Sequence, residues 1–320
     1  MSLGRTLVTG ATGFVGSHVA AAWVDAGYDV RCTVRATSDT RWLEGLDVES
    51  MEWDVRDSDG LKAALRDIDT VVHVAGVTRA PRRPDYFEVN ATGSARLAEA
   101  AAKAGVSRFV LVSSLAARGP DGGDGPVSAY GESKRRGEEL VRLFEGKMDI
   151  VVLRPGGIYG PRDSDLFPLF EMAGKGWLVA PAGSPPLQPV YVSDVARLTV
   201  AAGTGEYAGL GPYPVAEEGE YRWREVREGL ASALGRRVRL VWLPKMVFIS
   251  AGVIVETVAR LTRQDAPLDR RNAVDLSRHG WTCDTTATRA AFAWQAEVPL
   301  PEGLALTAEW YRRVGWLPKL

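Results

Sequence analysis

Tyr130 and Lys134 stand four residues apart in YGESK, within a stretch, SAYGESKRRGEELVRLF, of helical period. On a helix that spacing sets both side chains on one face, one turn apart. A phenol of pKa about 10 is a poor base at neutral pH. A neighbouring ammonium favours the phenolate and brings proton exchange toward neutral pH. Such a phenol suits a carbinol oxygen that gains or loses a proton while its carbon gains or loses a hydride. The same Lys134 can also hydrogen-bond the ribose of a hydride carrier. Y-x-x-x-K arises by chance in many helices, so the reading depends on what the chain places around the pair.

A second pattern lies at the N-terminus. TLVTGATGFVGSHVAAAW, residues 6–23, puts Gly10, Gly13 and Gly16 three apart between an apolar run and a helical pattern. Glycine inside a helix costs about 1 kcal/mol, so its use there needs a reason. Gly10 permits a tight turn, Gly13 lets the backbone approach a diphosphate, and Gly16 lets the helix close on the sheet. The N–H groups at the helix start then bind phosphate oxygens. The spacing is G-x-x-G-x-x-G, not G-x-G-x-x-G.

The elements that must position these groups follow from periodicity. RTLVTG, YDVRCTV, VESMEWDV, TVVHVAG, RFVLVSS and DIVVLRPG read as six strands, alternating with helical stretches such as LKAALRD and ATGSARLAEAAAKAG. Apolar strands alternating with helices make a parallel sheet covered on both faces. Right-handed crossovers give a doubly wound α/β fold of Rossmann type. Residues 1–165 read as the dinucleotide-binding domain, with VYVSDVARLTVAA, near 188–203, returning to the main sheet. Residues 166–320, rich in Trp223, Trp242, Trp281, Trp294, Trp310 and Trp316, read mainly as a smaller α/β substrate domain over the carboxyl edge.

Bulk properties narrow the partners. The 320 residues carry 39 Lys plus Arg against 40 Asp plus Glu, a net charge of -1, which gives no reason to expect nucleic acid. The two cysteines, Cys32 and Cys283, form neither a metal spacing nor a disulfide framework, so no metal is expected and a reduced, cytoplasmic setting is. The apolar segment MVFISAGVIV (Met246 to Val255) is half a membrane span. It reads as a helix under a lid or at a subunit contact, with peripheral membrane contact as the alternative; no integral membrane segment is expected. With a strand expected almost at the N-terminus, no signal peptide is expected.

With TGATGFVG, the chain resembles the extended short-chain dehydrogenase/reductase family, of epimerase/dehydratase type. Further matches follow in the family's order: WDVRD, VVHVAG, VNATGSARL with Asn90, RPGGIYGPRD and VYVSDVA. The pattern is closest to dihydroflavonol reductases and 3β-hydroxysteroid dehydrogenases. The resemblance implies a dinucleotide held by Gly10, Thr12, Gly13, Phe14 and Val15. Asp54 would meet the adenine amino group, beside Val55. Val74, Ala75, Gly76 and Val112 would line the crevice, with Pro155 and Gly156 around the nicotinamide. It implies a catalytic hydroxyl at Ser114, with Ser113 as rival, stabilising charge on the substrate oxygen beside Tyr130 and Lys134. It also implies a homodimer through two helices, one bearing Y-x-x-x-K.

The cofactor reading turns on RCTVRATSDTR. Where NAD-preferring relatives carry an acid for the ribose hydroxyl, this chain has Val34 followed by Arg35. Arginine can stack on adenine and pair with a 2′-phosphate, with Thr37, Ser38 and Arg41 nearby. NADP is expected, with NAD the alternative. His18 and His73 read as packing or local hydrogen-bonding residues, and His279 has no assigned partner. Tyr159 reads as either a substrate contact or a wall.

The arginine that clamps a diphosphate in nucleotide-sugar relatives aligns with Leu187, and the dehydratases' Asp-Glu pair aligns with Leu115 and Ala116. The expected substrate is therefore a hydrophobic small molecule, and the expected reaction interconverts a ketone and a secondary alcohol. The alternatives are a nucleotide-sugar epimerase or dehydratase with bound NAD, and a non-catalytic NADP-sensing protein.

Overall fold

Short apolar runs in the first half form β1 (Arg5–Thr9), β2 (Asp29–Val34), β3 (Val48–Glu52), β4 (Thr70–His73), β5 (Arg108–Val112) and β6 (Asp149–Pro155). Between them lie α1 (Phe14–Asp25), α2 (Leu61–Ala64), α3 (Arg83–Phe87), α4 (Ser94–Ala104) and α5 (Ala129–Arg142). A π-helical turn, Glu88–Gly93, joins α3 to α4. Then follow β7 (Gly157–Tyr159), α6 (Phe167–Gly174), β8 (Trp177–Pro181), β9 (Pro189–Tyr191), α7 (Val192–Thr204) and β10 (Tyr213–Val215). The chain ends through α8 (Trp223–Leu234), β11 (Arg239–Leu243), α9 (Lys245–Thr262), α10 (Thr286–Phe292) and α11 (Leu300–Arg313). This computed structural model describes residues 4–57, 60–120, 125–262, 274 and 280–318.

Seven strands pair in the order β10-β6-β5-β4-β1-β2-β3, every pair parallel. The order reverses between β1 and β4, so the loops leaving these two strands diverge and open a crevice at the carboxyl edge. Both faces of the sheet are covered. Val8, Trp23, Val72, Val110 and Val151 share one buried cluster with residues of α1 and α7. Leu7, Val71, Leu97, Phe109 and Ile150 share the other with α2 and α4. The doubly wound sheet expected from strand and helix alternation is present.

Two features differ from the periodicity reading. The strand at 189–191 does not join the main sheet: β9 pairs with β7 in a separate two-stranded sheet. The helix that follows it, α7, does return, since Trp23 of α1 donates to Thr199 of α7 at 3.1 Å. The strand that extends the main sheet is β10, paired with β6. Three-residue strands carry too little periodicity to say which neighbour they take. Trp294 also belongs to the main-sheet core rather than to the later aromatic group.

A third core gathers Phe170, Leu178, Trp223, Leu230, Leu304, Trp310 and Tyr311, from α6, β8, α8 and α11. It forms the smaller α/β layer beside the sheet. Asp163 precedes α6 and accepts from the N–H groups of Asp165 and Leu166 at 2.8 and 3.2 Å. Its backbone carbonyl takes the Tyr311 hydroxyl at 2.5 Å.

Candidate active site

The glycine turn has the shape that its spacing asks for. Gly10 has φ +71, and a Cβ there would lie 2.7 Å from the Ala75 nitrogen. A Cβ on Gly16 would lie 2.1 Å from the Gly10 carbonyl oxygen, so only glycine lets α1 close on the turn. Gly13 is different. It is exposed, and the atom nearest its absent Cβ is the Gly10 oxygen at 3.3 Å. Gly13 is the N-cap of α1, where no side chain caps the helix and the first turn holds no acid. An uncapped helix start with no competing carboxylate fits an anionic phosphate.

Parallel strands bring the other candidates to the same edge. Arg35 follows β2, Asp54 and Val55 follow β3, Val74 to Gly76 follow β4, Ser113 and Ser114 follow β5, and Gly156 follows β6. Thr12, Phe14 and Val15 lie on the glycine turn and the start of α1. Val112 and Pro155 are the last residues of their strands. Arg35 is exposed in a turn closed by the Ser38 N–H to the Arg35 carbonyl, 2.9 Å. Asp54 receives both the backbone N–H and the Nε–H of Arg56, each at 2.9 Å. That guanidinium holds its carboxyl below the usual carboxylate range.

The helix carrying Tyr130 and Lys134 is fixed at its start. Ser128 caps α5, its hydroxyl accepting from the Gly131 N–H at 3.1 Å. A Cβ on Gly131 would lie 2.3 Å from the Ala116 carbonyl oxygen. Glycine thus lets α5 press against the 3-10 turn Leu115–Ala117, the turn that Ser114 opens. Lys134 is buried, and its ammonium donates to the Val112 carbonyl at 2.8 Å. It also lies 3.7 Å from where a Gly76 Cβ would be. Burial pulls its pKa down to about 8, opposed by the Glu138 carboxylate one turn further along α5. The amine therefore stays largely protonated at neutral pH.

The two serines face different surroundings. Ser113 is buried and its hydroxyl donates to Glu138. Glu138 in turn receives the Arg154 Nε–H at 3.0 Å. Ser114 is extended, with φ -160 and ψ 151, and its Oγ accepts from the Ala116 N–H at 3.1 Å. Successive side chains on an extended chain point to opposite sides, so Ser114 is turned away from the Glu138–Arg154 pair. Ser128, Gly131, Glu138 and Arg154 were not among the residues singled out by sequence. The i, i+4 spacing of Lys134 and Glu138 was the available signal.

His73 joins the floor of the crevice to the helix. Ser94 donates its hydroxyl proton to the Asn90 carbonyl at 2.8 Å, so it can only accept from His73 Nε2, 2.9 Å away. His73 Nδ1 must then accept from the Thr9 hydroxyl at 2.7 Å, which itself accepts from the Ala75 N–H at 3.2 Å. The neutral Nε2–H tautomer follows from these directions. Asn90 accepts from the Val77 N–H at 2.8 Å and donates to Ser133 at 3.0 Å. Ser133 donates to the Tyr130 carbonyl at 2.7 Å.

Burial lowers the His73 pKa to about 3. The unfolded chain, with a histidine near its ordinary value, binds the proton first, so His73 withdraws stability as pH falls from about 6.5 toward about 3. In His73→Gln the loss of unfolding free energy between pH 7 and pH 5 is expected to shrink by about 2 kcal/mol. Urea melts at the two pH values measure it, and an unchanged difference contradicts the account.

Other singled-out residues lie elsewhere. His18 donates to the Pro161 carbonyl at 3.0 Å, and burial lowers its pKa to about 4. Tyr159 is 3% exposed, its ring 5.4 Å from that of Tyr191, so it is packed inside the smaller layer rather than lining an open cleft. Leu187 is packed against the third core. Its neighbour Gln188 has its carbonyl 3.2 Å from a would-be Gly156 Cβ. His279 lies outside the described residues. No cluster of three metal-ligating side chains occurs among the described residues.

Comparison with known proteins accords with this geometry. A ceramide reductase of Caulobacter vibrioides is 32% identical over 317 residues, 99% of this chain and 97% of that protein. A UDP-glucose 4-epimerase of Mycolicibacterium smegmatis is 28% identical, covering 96% of this chain and 98% of the relative. Among solved structures, MoeE5 in complex with UDP-glucuronic acid and NAD superposes with a TM-score of 0.76 at 25% identity, covering 97% of this chain and 100% of that one. Residues 6–211 match the description "NAD dependent epimerase/dehydratase family". With the glycine turn, the parallel sheet and the match all in agreement, the chain belongs to the NAD-dependent epimerase/dehydratase family, of extended short-chain dehydrogenase/reductase type.

Proposed function

We propose that the protein is an NADP(H)-dependent oxidoreductase that interconverts a ketone and a secondary alcohol on a lipid-like molecule. The observation that carries this reading is the end-to-end similarity to a ceramide reductase, together with an apolar, packed Leu187 where a diphosphate-binding cation would stand. Without that cation a sugar nucleotide loses a charge-assisted pair. The glycine turn and the start of α1 would hold the cofactor's phosphates, and Val74 to Gly76, Val112, Pro155 and Gly156 would line its crevice. When bound, NADPH supplies the hydride that the carbonyl carbon receives.

Tyr130 gives its phenolic proton to the carbonyl oxygen as that carbon is reduced, and solvent restores the proton afterwards. Lys134 keeps a positive charge beside the phenol and so favours the phenolate that remains. Ser114 donates a hydrogen bond to the substrate oxygen; Ser113 is committed to Glu138 and is not the catalytic hydroxyl. The same reading takes the protein as a cytoplasmic homodimer.

Arg35 beside the adenosine end selects the 2′-phosphate. Arg35→Ala is expected to bring an NADPH preference of about tenfold or more down to parity with NADH, as read by fluorescence titration. Equal affinities in the unaltered protein would remove the NADP assignment.

A panel of ketones that includes a long-chain keto-amide lipid, followed by loss of NADPH absorbance, tests the reaction. Turnover of the lipid ketone supports it. Tightly held NAD with interconversion of UDP-sugars and no net NADPH consumption would favour the epimerase reading, which the similarity to a UDP-glucose 4-epimerase keeps as the second choice.

A further inference from the structure

After α8, capped by Gly235 with φ 64, the chain runs GRRVRLVWLPKMVFISAGVIV to Val255. This stretch holds Arg236, Arg237, Arg239 and Lys245 and no acidic residue, in a protein of net charge -1. Arg237, Arg239 and Lys245 are exposed, and none has a carboxylate partner among the described residues. Some exposed cations elsewhere do sit beside acids, as Arg82 does with Asp85 and Lys103 with Glu99. The neighbouring acid Glu171 is matched by Lys175, 3.8 Å away.

Large apolar side chains are exposed in this stretch and on the strand paired with it. Met246 is 72% exposed, Val247 50%, Trp177 48% and Trp242 42%. They lie on β8, β11 and the first turn of α9. β11 pairs with β8 so that Arg239 stands opposite Trp177, its guanidinium carbon 5.7 Å from the indole centre. Trp242, three residues on, points to the other face of the strand pair, and α9 begins two residues after β11 ends. No helix among the described residues is long and apolar enough to cross a membrane.

We propose that the β8–β11 edge and the first turn of α9 form a docking surface for an anionic phospholipid bilayer. The Trp177 indole favours the boundary between headgroups and acyl chains. Met246 and Val247 enter the acyl boundary, while Arg237, Arg239 and Lys245 meet lipid phosphates. A second copy of the chain does not fit: a two-fold contact sets a patch against itself and would bring two cation-bearing, acid-free stretches together. Nucleic acid would meet the cations but offers nothing to Met246 and Val247. This surface exists whatever the substrate; only its use in meeting a lipid ketone at the bilayer rests on the function proposed above.

Flotation of the full chain with phosphatidylcholine vesicles, with and without phosphatidylglycerol, tests the proposal. Binding to the anionic vesicles is expected to exceed binding to neutral ones by tenfold or more, and to weaken at 0.5 M salt, roughly. Arg237→Glu is expected to lose about fivefold or more in affinity. Met246→Ser, at the most exposed of these positions, is expected to weaken binding while turnover of a water-soluble ketone and the urea midpoint stay unchanged. No vesicle binding by the unaltered chain would overturn the proposal, as would binding that neither variant weakens. Variants that instead change the oligomeric state would assign the surface to a second copy. Failure of the ketone panel with vesicle binding intact would remove the reaction proposed above and leave this surface standing.

Discussion

Tyr130→Phe is expected to lower turnover by about 10²–10⁴-fold while NADPH affinity stays within about twofold, since a lost proton-transfer step acts on kcat alone. The phenyl ring keeps the packing of the phenol and removes only the exchangeable proton. The helix beneath it is held independently of the hydroxyl: Ser128 caps it, Ser133 donates to the Tyr130 carbonyl at 2.7 Å, and Lys134 reaches the Val112 carbonyl at 2.8 Å. Stopped-flow kinetics on any ketone that the protein reduces separates the two effects. A variant that turns over at the unaltered rate would show that the proton comes from elsewhere, and the acid–base assignment would fall.

Gly131→Ala is expected to be nearly as damaging, though residue 131 carries no functional group. Its methyl would lie 2.3 Å from the Ala116 carbonyl oxygen and 3.2 Å from the Pro126 Cβ. Backbone on one side and a rigid ring on the other leave little room to yield. The helix start must then move off the turn that Ser114 opens, separating Tyr130 from the serine it is proposed to work with. Overpacking of this kind costs about 1–3 kcal/mol, and a displacement of the order of 1 Å at reacting groups costs roughly 10²-fold in rate. Gly174→Ala is the matched control, because a Cβ there meets nothing within 4 Å. Equal activity in the two variants would show that α5 can shift without consequence.

Much of this site was open to reading in one dimension because its parts are local. Gly10, Gly13 and Gly16 sit where a strand gives way to a helix, and a parallel sheet sets every such junction on one edge. Tyr130 and Lys134 share a helix face through spacing alone. Ser114 is the instructive case, since it could not be told from Ser113 by motif. Two adjacent serines after a strand are equivalent until something occupies one of them. The occupant is Glu138, held by Arg154 from β6, and that meeting exists only once helix and sheet are packed.

What the amino-acid order determined by itself was the alternation of strands and helices, the glycine turn and the tyrosine–lysine spacing, all set by interactions within a few residues. Only the folded chain decided the rest. It sent β9 to pair with β7 rather than the main sheet, because three-residue strands have no register of their own. It buried Tyr159 and turned Trp242 and Met246 outward, because an apolar residue is covered or left bare according to what else the chain brings against it. It also set Gly131 against a carbonyl fifteen residues away in sequence and under 3 Å from the missing methyl.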